Sequence, residues 1–211
     1  MTTEQLRHRM SPILKALKER SLRGRTPVEG LRRTECAYHG WDTVHADAAS
    51  WEPFAPGDAF GGLEAHHCFK GTVTLPEASA GKRVVCLVST GASDIWNNNN
   101  PQFLAYVDGR LVCGLDVNHN EFDLAACAVP GESHELALYV YCNTPARDVF
   151  LRVETAERDD DVTGLYYDLR APYEVCALLA DDDTRAIGIM KHLNRALNLL
   201  DLRDLDSGAF A

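Results

Sequence analysis

The residues 114–121, GLDVNHNE, place Asp116, Asn118 and Asn120 at the i, i+2, i+4 spacing that opens a calcium loop of the EF-hand kind. The match fails where the geometry is strict. Position six is Glu121 where a glycine must make the sharp turn, and position twelve is Cys127 where a bidentate glutamate is required. Asp116, Asn118, His119 and Glu121 therefore read as a polar turn that feeds a strand, free to contact a neighbouring domain. Two other segments carry metal-ligand types. His45-x-Asp47 has no apolar strand before it to present both side chains, and alternation along a strand sends His67 and Cys68 to opposite faces, so His66-His67-Cys68 cannot chelate one ion together. No metal site is expected within the chain.

Sugar chemistry has two signatures, and only one is present. Glycoside hydrolysis needs two carboxylates about 5 to 10 Å apart, and spacing singles out no pair among 31 acidic residues. GxSxG, HExxH and glycine-rich phosphate loops are likewise missing, so no catalytic residue is assigned. Binding needs less: an aromatic ring for the apolar face of a sugar and amides for its hydroxyls. Trp96 followed by Asn97, Asn98, Asn99 and Asn100 has that composition and is the candidate sugar contact, with a soluble turn as the alternative.

Composition narrows the classes further. With 211 residues, 45% of them hydrophobic, the chain can bury an ordinary core. A formal charge of −10 gives phosphate backbones little to hold, which argues against nucleic acid as a partner. No segment approaches the ~18 apolar residues of a membrane span, and the N-terminus lacks the apolar run of a signal peptide. Seven cysteines form no CxxC pair and sit mostly within apolar runs such as VVCLV (84–88). They read as small hydrophobes in a reducing, cytoplasmic compartment, and a soluble, unprocessed protein is the expectation.

The elements that must position these residues follow from periodicity. Leu6, Met10, Ile13, Leu14 and Leu17 have helical spacing, with Pro12 predicting a kinked or two-piece helix. Residues 21–62 read as an irregular connection whose Trp51, Phe54 and Phe60 pack onto a domain. From residue 66 to about 156 the period becomes two, and short strands alternate with turn signals. Asp108-Gly109 predicts a two-residue hairpin. Beyond residue 160, Leu165, Leu169, Tyr173, Cys176 and Leu179 form one helical stripe. Met190, Leu193, Leu197 and Leu200 form another, capped by Asp183 or Thr184 and running to about Arg203. The fold class expected is mainly β: an antiparallel jelly-roll-like β-sandwich with an N-terminal helix and a C-terminal helical hairpin. Its segments are 1–62, 63–160 and 161–211.

Several stretches in order, WEPFAPGDAFGG (51–62), CFKGTVTLPE (68–77), PQFLAYVDGRLVCGLDVNHNEFDL (101–124), GLYYDLRAPYEVCALL (164–179) and HLNRALNLLDLR (192–203), resemble the N-terminal accessory domain of family 38 α-mannosidases of the bacterial and cytosolic type. Phe60 stands where that family usually has tryptophan, as does Cys68 before Phe69. The resemblance implies a non-catalytic domain of a zinc-dependent retaining glycosidase. It would pack on, and shape, the catalytic domain of its parent chain, and zinc is expected only in that other domain. A stand-alone carbohydrate-binding module is the alternative.

Overall fold

The computed structural model describes residues 3–90, 101–146, 148–180 and 182–200. In chain order the elements are α1 (Thr3–Arg20), β1 (Leu22–Pro27), β2 (Arg32–Glu35), α2 (Trp41–His45), β3 (Glu52–Pro53), β4 (Ala59–Phe60), β5 (Ala65–Thr74), β6 (Arg83–Ser89), β7 (Gln102–Val107) and β8 (Arg110–Leu115). They continue as β9 (Glu121–Ala125), β10 (Ser133–Cys142), β11 (Val149–Phe150), β12 (Arg152–Arg158), α3 (Asp160–Leu178) and α4 (Thr184–Leu197). The chain divides into two compact units. Among the described residues, those up to Arg23 and from Arg158 onward form a helical unit, and those of Gly24–Glu157 form a β unit.

The helical unit is a three-helix cluster. Leu6, Met10, Ile13 and Leu17 of α1 meet Val162, Tyr166, Leu169 and Cys176 of α3 and Ala186, Met190, Leu193 and Leu197 of α4. α1 is one element through Pro12 and not the two-piece helix that was one of the expectations. Four buried side chains, each contributing about 1.5–3 kcal/mol, outweigh the ~3 kcal/mol that an internal proline costs. Both C-terminal helices start on aspartate caps. Asp159 accepts from Val162 N–H at 3.0 Å and Asp183 from Arg185 N–H at 2.8 Å. α4 ends at Leu197 with Asn198 as its C-cap, short of the expected Arg203.

The β unit is a sandwich of antiparallel sheets. One has the order β1-β12-β6-β9, the other β3-β2-β5-β10-β7-β8, and β11 and β4 form a small pair. Phe69, Phe103, Leu136, Leu138 and Val140 from the six-stranded sheet bury against Cys86, Val88, Phe122 and Val153 from the four-stranded one. The segment 21–62 is not the irregular connection that its mixed composition suggested. It supplies β1, β2, α2, β3 and β4, because pairing with β5 and β12 satisfies backbone groups that a polar sequence such as RRTE (32–35) cannot bury by itself. The hairpin at Asp108-Gly109 is present, with both φ angles positive (50° and 73°), as a tight two-residue turn demands. No described helix is long and apolar enough to cross a membrane.

Candidate functional site

Strand register on the outer face of the six-stranded sheet creates rows of side chains. His66, Tyr141 and Gln102 lie opposite one another in one row; Thr34, Cys68, Tyr139, Leu104 and Gly114 form the next, and Arg32, Lys70, Ala137 and Tyr106 the one after. The third row and part of the second are roofed by residues 36–51. Val44 and Trp51 bury against Cys68, Tyr106, Ala137 and Tyr139. Two cations hold that roof: Lys70 Nζ donates to Ala46 O (2.8 Å) and Glu135 Oε1 (3.0 Å), and Arg32 donates to the carbonyls of Ala49 and Trp51.

The roof stops at Tyr38-His39-Gly40, and beyond it the face opens into a cleft of about 640 Å³. Its walls are Tyr38, His39, Glu64, His66, Tyr139 and Tyr141 on one side and Gln102, Leu104, Gly114 and Asp116 on the other. The aromatic wall is fixed by hydrogen bonds. Tyr139 Oη accepts from His39 N–H (3.2 Å) and bonds His66 Nδ1 (2.7 Å), while Tyr141 O–H donates to Glu64 Oε1 (2.9 Å). The His66 ring stacks on Tyr141 (centroids 5.2 Å, 26°) and on Tyr139 (5.8 Å, 16°), with Tyr38 edge-on at 5.6 Å. His39 and Glu64, two wall residues, hold left-handed backbone (φ 68° and 54°), a conformation that costs a non-glycine residue of order 1 kcal/mol or more.

Electrostatics disfavour Asp116 as a proton donor of the glycosidase type. The Asp116 carboxyl is held below the usual carboxylate range, first by the His119 backbone N–H and then by that of Asn118, which reach Oδ1 at 2.8 and 2.7 Å. A general acid needs the opposite shift. The Glu64 bond and partial desolvation push the Tyr141 phenol up. Beside the cleft, the Cys68 thiol donates to Cys36 Sγ at 3.4 Å, which lowers the Cys36 pKa and raises that of buried Cys68. Among the described residues, no group of three or more His, Cys, Asp or Glu side chains is arranged to hold a metal ion.

The residues singled out by sequence fall apart in space. Asp116 lies on the cleft wall and organises a turn, whereas Asn118 and His119 are exposed outside the cleft lining and Glu121 opens β9, opposite Leu87. Trp96, Asn97, Asn98 and Asn99 lie outside the described residues. Tyr38, His66, Tyr139 and Tyr141 were missed as a group. The legible signal was the alternation in LYVYC (138–142), which puts Tyr139 and Tyr141 on one face away from Leu138 and Val140.

No family model and no curated protein matches the chain. Among solved structures, β-glucuronidases are similar to it. The Bacteroides uniformis enzyme has 11% identity and a TM-score of 0.47 over 64% of this chain and 18% of its own. The Ruminococcus gnavus apo enzyme has 9% and 0.47 over 65% and 29%. The Faecalibacterium prausnitzii enzyme has 13% and 0.43 over 65% and 32%. The chain thus spans less than a third of the length of these structures.

Proposed function

We propose that this chain is the non-catalytic β-sandwich domain of a larger cytoplasmic glycosidase, with a zinc-dependent retaining α-mannosidase as parent, and that α3 carries the face which packs on the catalytic domain. The observation supporting the docking role is an apolar stripe. Tyr167, Ala171, Val175 and Leu178 follow one another at steps of four, four and three residues, which align on one side of a helix, and all four are exposed, Leu178 at 87%. The other side of the same helix is already spent in the three-helix core through Val162, Tyr166, Leu169 and Cys176. An apolar face on an element whose core side is complete is the mark of an interface. The motif order shared with family 38 accessory domains supports the α-mannosidase parent, and the seven free cysteines support a reducing compartment. Asp116, Asn118, His119 and Glu121 are proposed as a further contact with the same parent.

The reading is tested by mixing the purified chain with the catalytic domain of a family 38 α-mannosidase and following the complex by sedimentation. A one-to-one complex weakened by Tyr167→Asp with Leu178→Asp is expected. The chain alone, with zinc added, leaves an aryl α-mannoside intact; hydrolysis by the chain alone sinks the non-catalytic reading.

A further inference from the structure

We propose that the open cleft on the outer face of the six-stranded sheet binds a neutral pyranose. Three features select that ligand class. Its ~640 Å³ falls within the ~300–1,000 Å³ of small-ligand sites. Its aromatic wall offers the negative π-face to the C–H side of a sugar ring, and Tyr38, in contact with the His39 and His66 rings yet 70% exposed, presents the most accessible tyrosine ring of that wall. The surrounding rings are held by the Tyr139–His66, His39–Tyr139 and Tyr141–Glu64 bonds, so a ligand meets a wall that needs no ordering on binding.

Polar groups around the cleft complete the match. The Gln102 amide both donates and accepts, and the Glu64 carboxylate and Asp116 Oδ2, which the turn does not use, accept hydroxyl protons. Charge then decides between sugars. The described lining has two carboxylates and neither lysine nor arginine, so a uronic acid or sugar phosphate meets repulsion while a neutral polyol meets acceptors.

Gly114 supplies a clean test. A Cβ there would touch only Phe103 O and Leu104 Cδ2, at 3.8 and 3.9 Å, which is ordinary contact on ordinary strand backbone. A longer side chain at this exposed position enters the cleft without displacing the sheet.

The purified chain is titrated by calorimetry with methyl α-mannopyranoside, methyl β-glucopyranoside and glucuronate, to tens of millimolar. Saturable binding of a neutral pyranoside, weakened about tenfold by Tyr38→Ala and abolished by Gly114→Leu, is the expected result. Circular dichroism confirms that both variants fold. Absence of saturable binding, binding unchanged by Gly114→Leu, or binding of glucuronate at least as tight as that of the neutral sugars overturns the proposal. Leu178→Asp leaves sugar binding unchanged, which separates the cleft from the docking reading: either can fail while the other stands.

Discussion

The roofed half and the open half of one sheet face are built by the same strands, β5, β10 and β7, from side chains four residues apart. Lys70, Ala137 and Tyr106 disappear under residues 36–51, and His66, Tyr141 and Gln102 remain accessible. Intrinsic polarity does not explain the division, since the roofed half contains a lysine and the open half two aromatic rings. The boundary is set by the Tyr38-His39-Gly40 turn, whose left-handed His39 and Gly40 end the roof above Tyr139. A buried polar group can be tolerated when its bonds are completed, and an exposed ring is left when no further chain arrives to cover it.

The largest expected effect breaks this boundary. At Gly40 a Cβ would stand 2.5 Å from Tyr139 Cδ2 and 3.2 Å from Cys36 Sγ, at a φ of 52°. Gly40→Val should destabilise by about 2–4 kcal/mol, from overpacking and from left-handed backbone on a β-branched residue. A fall in urea midpoint at constant slope reads it out.

Next comes the pin beneath the roof. Lys70→Met keeps the buried stem and removes the bonds to Ala46 O and Glu135 Oε1, for a loss of about 1–3 kcal/mol. Glu135→Gln, at a half-exposed partner, should cost less than about 1 kcal/mol. Equal losses from both variants would show that the ion pair, not the carbonyl bond, holds the roof.

A pH effect belongs to the inner face instead. His67 is 2% exposed, donates through Nε2 to Gly61 O at 3.3 Å, and leaves Nδ1 without a partner. Burial is the main cause that lowers its pKa below the ordinary 6.5. The unfolded chain then takes up this proton first as pH falls, so the stability His67 contributes is complete above 6.5 and is lost as pH drops through the lower folded-state value. Melting temperature should decline in that window, and the His67 ring should titrate below 6.5 by NMR. A ring titrating above 6.5 contradicts the assignment.

The smallest stability effect is expected on the open half. Tyr38→Ala should change folding stability by less than about 0.5 kcal/mol, because its ring is 70% exposed. A large loss by denaturation would mean that Tyr38 is part of the roof and that the boundary lies further out.

Much of the scaffold was legible. Alternation at Phe69 and Val73, the Asp108-Gly109 turn, and the stripes of α1 and α4 declare themselves locally. The segment 21–62 was not legible, because β2 is a short polar sequence that becomes a strand only by pairing with β5 and β3. The stripe of α3 was read in part: Leu165 and Tyr173 were expected inside and are half-buried, while Val162 and Tyr166 are buried. Its two faces are both apolar, so periodicity alone could not say which one the core takes.

Local sequence was enough for the mainly β sandwich class, the hairpin, the start of α4 at Asp183 or Thr184 and the polar turn at Asp116, since each depends on residues within a few positions of one another. Tertiary structure alone decided the cleft. Tyr38, His66, Gln102, Gly114 and Tyr139 become neighbours only through strand register, and their exposure depends on where a segment distant in the chain stops covering the sheet. That stopping point is a matter of packing and left-handed backbone, which no spacing of residue types records.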